Sequence, residues 1–225
     1  MKASTTNSRQ TVRIPVHGAE LVGDLSVPSA PIGLVLFAHG SGSGRRSPRN
    51  QYVASVLLEH RLATLMFDLL TPDETVIDER TRHLRFDIGF LAQRLAAATD
   101  WTATHAAVAH LPIGYFGAST GAAAALVAAA SRAERVRAIV SRGGRPDLAM
   151  DVLDRVRAPT LLLVGSDDTT VIPLNQRAYR QLRAPKDLVL VPGATHLFEE
   201  PGTLEEVARL AASWFERHLA AAPTA

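Results

Sequence analysis

Gly114-Tyr115-Phe116-Gly117-Ala118-Ser119-Thr120-Gly121-Ala122-Ala123-Ala124-Ala125-Leu126 joins a short apolar strand to an alanine-rich helix, with one serine at the junction. A serine placed there leaves the strand and enters the helix within a single residue. That forces a strained backbone and crowds the residues two before and two after it. Gly117 and Gly121 stand at those two places. The turn exposes the Ser119 hydroxyl at the end of a sheet, and the helix starting there directs its unpaired N–H groups and positive dipole end at charge developing beside it. The pattern reads as a nucleophile elbow. A Gly-x-Ser-x-Gly spacing also arises by chance as a tight turn in a chain rich in Gly and Ala, so the reading requires partners elsewhere.

Strands and helices alternate on either side of this stretch. Thr11–Val16 and Glu20–Val27 alternate in polarity about His17-Gly18-Ala19 and read as an antiparallel hairpin at a sheet edge. Ile32–Ala38 and Leu62–Phe67 are near-continuous apolar runs, the pattern of strands buried on both faces. Between them, Ser47 and Pro48 supply an N-cap and a first-turn proline for a helix burying Val53, Val56 and Leu57. Asp68–Arg80 reads as an acidic loop leading to a helix with Leu84, Ile88, Leu91 and Leu95 at helical spacing. Further strands are expected at Ile113–Phe116, Val136–Val140, Thr160–Val164 and Asp187–Val191, with a helix near Leu148–Val156 and another opened by Pro173. In the last helix, Thr203 and Glu206 have capping-box spacing, and Val207, Leu210, Ala211, Trp214 and Phe215 share one face. Repeated strand–helix units predict an α/β fold: a mainly parallel sheet with helices on both faces and active groups at the carboxyl ends of the strands.

At 225 residues, with no Pro/Ser-rich linker or charge block, the chain is expected to form one domain over residues 1–225, with 1–9 as an N-terminal tail. Formal net charge is +2, and apart from Lys2 and Lys186 the basic residues are arginines scattered along the chain rather than gathered in a stripe. Nucleic acid is therefore not an expected partner. The absence of cysteine excludes disulfides, thiolate metal sites and a cysteine nucleophile. Residues 1–9 lack the apolar run of a signal peptide, and no apolar segment is long enough to cross a bilayer without charges. A soluble, cytoplasmic protein without a membrane partner is the expectation.

A serine alone is a weak nucleophile, so an elbow demands a histidine within reach and a carboxylate to orient it. The turn after Thr160–Val164 contains Asp167 and Asp168, and the turn after Asp187–Val191 contains His196. Of the eight histidines, His196 alone sits in a turn directly following a late strand. The order Ser119, Asp, His196 is that of Ser–Asp–His hydrolases on α/β sheets. A tetrahedral intermediate also needs two preorganised donors. The Thr120 N–H, directly after the serine, is one. The loop His39-Gly40-Ser41-Gly42-Ser43-Gly44 offers the other through the Ser41 N–H. That loop lacks the Gly-Lys-Ser/Thr ending of a P-loop and does not form Gly-x-Gly-x-x-Gly, which places nucleotide binding well behind.

With these pieces together, the sequence resembles the α/β-hydrolase superfamily and, within it, the dienelactone-hydrolase-like group, over nearly the whole chain. The resemblance rests on His39-Gly40-Ser41-Gly42, Gly117-Ala118-Ser119-Thr120-Gly121, Gly165 with Asp168 and Val171-Ile172-Pro173 after it, and Gly193-Ala194-Thr195-His196. Ser141-Arg142-Gly143-Gly144-Arg145-Pro146-Asp147 is also similar to a group found fused behind phosphoribosyltransferase domains. The family motif implies Asp168 as the acid, with Asp167 as the fallback. Dienelactone hydrolases proper use a cysteine where this chain has Ser119, so their substrate does not carry over. The expected activity is hydrolysis of small or medium carboxylic esters through an acyl-enzyme, with no metal or organic cofactor and no large cap domain between Val140 and Thr160. A thioester or lactone hydrolase, or a ligand-binding protein that keeps hydrolase geometry without turnover, are the alternatives. Arg45, Arg46, Arg49, Arg142 and Arg145 are expected at the same rim. They form either a basic mouth that binds an anionic ester or a set of internal pairs with Asp68, Asp73, Glu74 or Asp147, and the second is favoured.

Overall fold

Strands buried on both faces must alternate their side chains between two helical layers, and this requirement shapes the sheet. In the computed structural model, which describes residues 8–220, eight strands form one sheet in the order β1-β2-β4-β3-β5-β6-β7-β8. They are β1 (Ser8–Val16), β2 (Ala19–Val27), β3 (Gly33–Ala38), β4 (Leu62–Phe67), β5 (Ile113–Ala118), β6 (Val136–Arg142), β7 (Thr160–Gly165) and β8 (Lys186–Val191). β1 pairs antiparallel with β2, and β2 with β4; all remaining pairs are parallel.

In β3, Leu34, Leu36 and Ala38 point into one core, and Val35 and Phe37 into the other. The second core is closed by α1 (Pro48–Glu59) and α6 (Thr203–Leu219). The first is closed by α3 (Ile88–Thr102), α4 (Thr120–Ser131), a 3-10 segment (Pro146–Arg155) and α5 (Ile172–Gln181). The expected hairpin forms one edge of the sheet, with Ala19 already paired to Val16 so that the turn is only His17-Gly18. Among the described residues, no helix is long and apolar enough to cross a membrane.

Several expected elements differ from what forms. Asp68–Arg80 is mostly helix: α2 (Pro72–Thr81) carries a full capping box, with the Thr71 hydroxyl accepting the Glu74 N–H at 3.2 Å and the Glu74 carboxylate accepting the Thr71 N–H at 2.8 Å. Leu84 lies in a 3-10 turn, and α3 begins only at Ile88, capped by the Asp87 side chain. The segment near Leu148–Val156 is 3-10 rather than α-helical. The capping box expected at Thr203 and Glu206 does not form. Gly202, at φ 82°, is the N-cap, while the Thr203 hydroxyl donates back to the Glu200 carbonyl and Glu206 pairs with Arg209. β8 is the other sheet edge, with only Val191 buried.

The elbow glycines are required by sterics. A Cβ on Gly117 would lie 2.4 Å from Ala122 Cα, and one on Gly121 would lie 2.1 Å from the Ala38 carbonyl oxygen. Both obstacles are backbone, fixed by α4 and by the end of β3. Gly121→Ala is therefore expected to destabilise the fold by about 3 kcal/mol, at the upper end of overpacking costs. A denaturant midpoint shifted to lower concentration at constant m-value checks it.

Candidate active site

The β5–α4 junction strains one residue and ties it to β6. Ser119 has φ 51° and ψ −122°, a conformation rare for a residue with a side chain. Its N–H donates to the Arg142 carbonyl at 3.2 Å, and its carbonyl accepts the Arg145 N–H at 3.1 Å. The end of β6 and the turn that follows it thus hold the elbow from both sides. Thr120, the first helical residue of α4, lies where backbone N–H groups have no intrahelical acceptor.

Asp168 and His196 come together from the turns after β7 and β8. Asp168 Oδ2 lies 2.7 Å from His196 Nδ1; the carboxylate is 8% exposed and the imidazole 40%. A carboxylate accepts, so Nδ1 carries the proton and Nε2 is left with a lone pair. Gly165 locks the two turns together, since a Cβ there would lie 2.2 Å from the Ala194 carbonyl oxygen. Asp167, exposed in the same turn, instead accepts the Ser166 hydroxyl at 3.0 Å. The structure therefore brings Asp168, and not Asp167, to His196. Gly143 sits between the pair and the elbow: a Cβ there would come within 3.5 Å of His196 Nδ1. Ser119 Oγ and His196 Nε2 make no hydrogen bond to each other in this structure, and such contacts commonly tighten only when substrate is bound.

The loop expected to supply the second oxyanion donor, here the oxyanion loop, is less open than the sequence implies. The Ser41 N–H donates to the Thr120 hydroxyl at 3.0 Å. For Ser41 to serve a substrate oxygen, the hydroxyl of buried Thr120 has to turn away, and threonine in a helix has a second accessible rotamer. Beside the loop, a cavity of about 340 Å³ is lined by Gly40, Ser41, Leu70, Thr75, Asp78 and Arg85. α2 forms its wall, held by Glu74–Arg94 and Asp78–Arg85 ion pairs of 2.5 Å each.

His39 has a role that the sequence reading missed. The ring is buried, with Nδ1 3.0 Å from the Gly40 carbonyl and Nε2 3.0 Å from the Leu69 N–H. A carbonyl only accepts and an amide only donates, so the ring is neutral with its proton on Nδ1 and bridges the oxyanion loop to the end of β4. Desolvation lowers its pKa from the ordinary 6.5, outweighing the Gly40 hydrogen bond and the Asp68 charge that act the other way. The unfolded chain then binds a proton that the folded chain refuses. His39's contribution to stability is complete above about pH 6.5 and declines as pH falls from there toward the lowered folded value. Stability should fall by up to about 1.4 kcal/mol per pH unit from this group in that window. His39→Gln should flatten the dependence, measured by denaturant titrations between pH 7 and 5.

The rim arginines divide. Arg45 pairs with Asp68 and lies 3.6 Å from Asp24; Arg145 is bound at 2.8 Å by both oxygens of Asp147. These two, expected as possible substrate ligands, are occupied by internal carboxylates. Arg46 is exposed, and Arg49 pairs with Glu199 at 2.7 Å. Arg142 is buried, and desolvation together with the neighbouring Arg49 charge pushes its pKa down to about 10. Among the described residues, no group of three or more His, Asp or Glu side chains is placed to hold a metal ion.

Residues 63–221 match the model of the dienelactone hydrolase family. The chain belongs to that family. It is 57% identical to a dienelactone hydrolase from Anabaena variabilis whose crystal structure superposes with a TM-score of 0.93, covering 94% of this chain and 98% of that one. Est1E from Butyrivibrio proteoclasticus shares the fold at 17% identity, with a TM-score of 0.78 over 92% of this chain and 98% of that one. A Mycobacterium tuberculosis protein provisionally named a phosphoribosyl transferase is 58% identical over 210 residues, which are 93% of this chain but 46% of that protein. The chain thus spans about half the length of the curated relatives it matches. Family and fold make it an α/β-hydrolase of the dienelactone hydrolase type.

Proposed function

We propose that the protein hydrolyses small or medium carboxylic esters through an acyl-enzyme on Ser119. The observation that carries this is the strained serine at the β5–α4 elbow together with an oriented Asp168–His196 pair in turns held against it by β6. In the first half-reaction His196 Nε2 takes the Ser119 proton as Oγ bonds to the carbonyl carbon, and the same proton passes to the departing alkoxide. In the second half-reaction, Nε2 takes a proton from water as the water oxygen bonds to the acyl carbon. It hands that proton to Ser119 Oγ as the bond from Oγ to the acyl carbon breaks, releasing the acid and restoring Ser119 and the neutral imidazole. The Thr120 N–H and, once the Thr120 hydroxyl turns, the Ser41 N–H receive the oxyanion in each half. Asp168 keeps Nε2 free for these transfers and stabilises the imidazolium.

Between β6 and β7 the chain forms only the 3-10 segment, so no large cap closes the site, which supports accessible rather than interfacial substrates. The transferase name of the mycobacterial relative belongs to a chain about twice this length, of which this chain matches 46%, and it is this chain that has the elbow and the Asp–His pair. That supports assigning hydrolysis to this half. Mixing enzyme with an activated aryl ester should give a burst of phenol equal to the enzyme concentration, followed by slower steady turnover. A burst with no steady phase would favour a binder that acylates once, and thioester or lactone turnover without ester turnover would move the assignment within the hydrolases.

A further inference from the structure

Arg142 has the burial of an ion-paired arginine without the ion pair. Arg94, 8% exposed like Arg142, is held by Glu74. Arg142 Nε and Nη1 are buried and have no hydrogen-bond partner among the described residues. Its side chain follows Ala138 and Val140 onto the face covered by α1 and α6, and its guanidinium lies 6.0 Å from the centre of the Phe198 ring. Two more buried atoms lack partners at the first turn of α1: Arg49 Nε and Asn50 Oδ1. That turn contains no acidic residue, so the positive end of the helix is not offset from within. Glu199 meets Arg49 through Nη1 only. A guanidinium taken out of water without a counter-charge is costly to keep, and a well-placed oxyanion supplies what is missing.

The position suits a substrate group. Arg142's own carbonyl holds the Ser119 N–H, and the next residue packs against His196. A groove of about 620 Å³ runs from Ser41 in the oxyanion loop past Arg46 to Arg49. An ester lying in it with its carbonyl at Ser41 directs a distal substituent toward Arg49, whose charge neighbours the buried Arg142. We propose that Arg142, backed by Arg49, is a specificity-determining residue that holds an oxyanion group of the substrate, a carboxylate or a phosphate. This rests on Ser119 being the esterolytic nucleophile.

The test compares kcat/KM for three aryl esters matched in chain length: an uncharged acyl chain, one ending in carboxylate and one ending in phosphate. One of the anionic esters is expected to be preferred by about 10- to 100-fold, the range for charge-assisted hydrogen bonds. The preference should fall to near unity in Arg142→Gln and survive in part in Arg142→Lys. The better anion identifies the group. No preference for either anion, or one undiminished in Arg142→Gln, overturns the proposal. If Arg142→Gln does not fold, Arg49→Gln on the half-buried first turn of α1 should reduce the preference several-fold, and an undiminished preference there is equally fatal. A separate arm titrates inorganic phosphate and acetate into the Ser119→Ala protein by calorimetry. Binding that disappears with the added Arg142→Gln change and is weakened but kept with Arg142→Lys sustains the anion site even if no ester is turned over, in which case only the esterase reading fails. No binding of either anion at millimolar concentration, with no anionic preference in turnover, removes the site.

Discussion

Ser119→Ala is expected to lower kcat for ester hydrolysis by about 10⁴- to 10⁶-fold, leaving only what binding and oxyanion donors provide without a nucleophile. The size of the effect follows from the elbow. The proposed chemistry rests on the one oxygen atom that the backbone at φ 51° carries, and alanine keeps the Cβ while deleting that atom. Among the described residues Ser119 Oγ makes no side-chain hydrogen bond, the His196 ring being bonded to Asp168 instead, so alanine removes no such bond from the folded state. The Ser119→Ala protein should therefore unfold at the wild-type midpoint within about 0.5 kcal/mol, separating a chemical loss from a structural one. Turnover retained within tenfold would show that another group attacks the ester.

Asp168→Asn should lower kcat by about 10⁴-fold, because an amide in the carboxylate's place accepts the Nδ1 proton poorly and offers no charge to the imidazolium. The ring then has no reason to keep its proton on Nδ1, and the tautomer with Nε2 protonated cannot take the Ser119 proton. KM should change little, since the Asp168 side chain is nearly buried and does not line the groove beside the loop of Ser41. Asp167→Asn, altering an exposed carboxylate engaged by the Ser166 hydroxyl, should change kcat by less than about tenfold. Parallel steady-state kinetics on the two variants decide the matter, and the opposite ranking would transfer the orienting role to Asp167.

Fold and site were legible to different depths, for reasons visible in particular residues. The inner strands read clearly because burial on both faces leaves runs such as Leu34–Phe37 without a polar residue. Ser119 and the pair Asp167–Asp168 stood out because each follows such a run, and His196 because its turn follows the last strand, where a parallel sheet gathers its strand ends. Only the family motif separated Asp168 from Asp167. α2 was hidden because its apolar residues, Val76 and Ile77, are exposed and make no buried stripe, although Thr71-Pro72-Asp73-Glu74 announces its cap. The capping box assigned to Thr203 failed for the converse reason, a local pattern overridden by the Gly202 turn. The division among the arginines depends on partners far away in the chain. Arg45 meets Asp24 of β2, and Arg94 of α3 reaches Glu74 of α2, while nothing in the sequence distinguishes Arg142 from either. The Thr120 hydroxyl's hold on the Ser41 N–H and the neutral bridge made by His39 likewise appear only once loops from β3, β4 and β5 are in contact.

Covalent labelling tests the nucleophile assignment most directly. The protein is incubated with a fluorophosphonate, digested, and the phosphonylated peptide sequenced by mass spectrometry. One adduct per chain, on Ser119, with loss of ester turnover in proportion to labelling and no adduct in Ser119→Ala, is the expected result. Stoichiometric labelling of a different residue, or full turnover remaining after Ser119 is labelled, would contradict it.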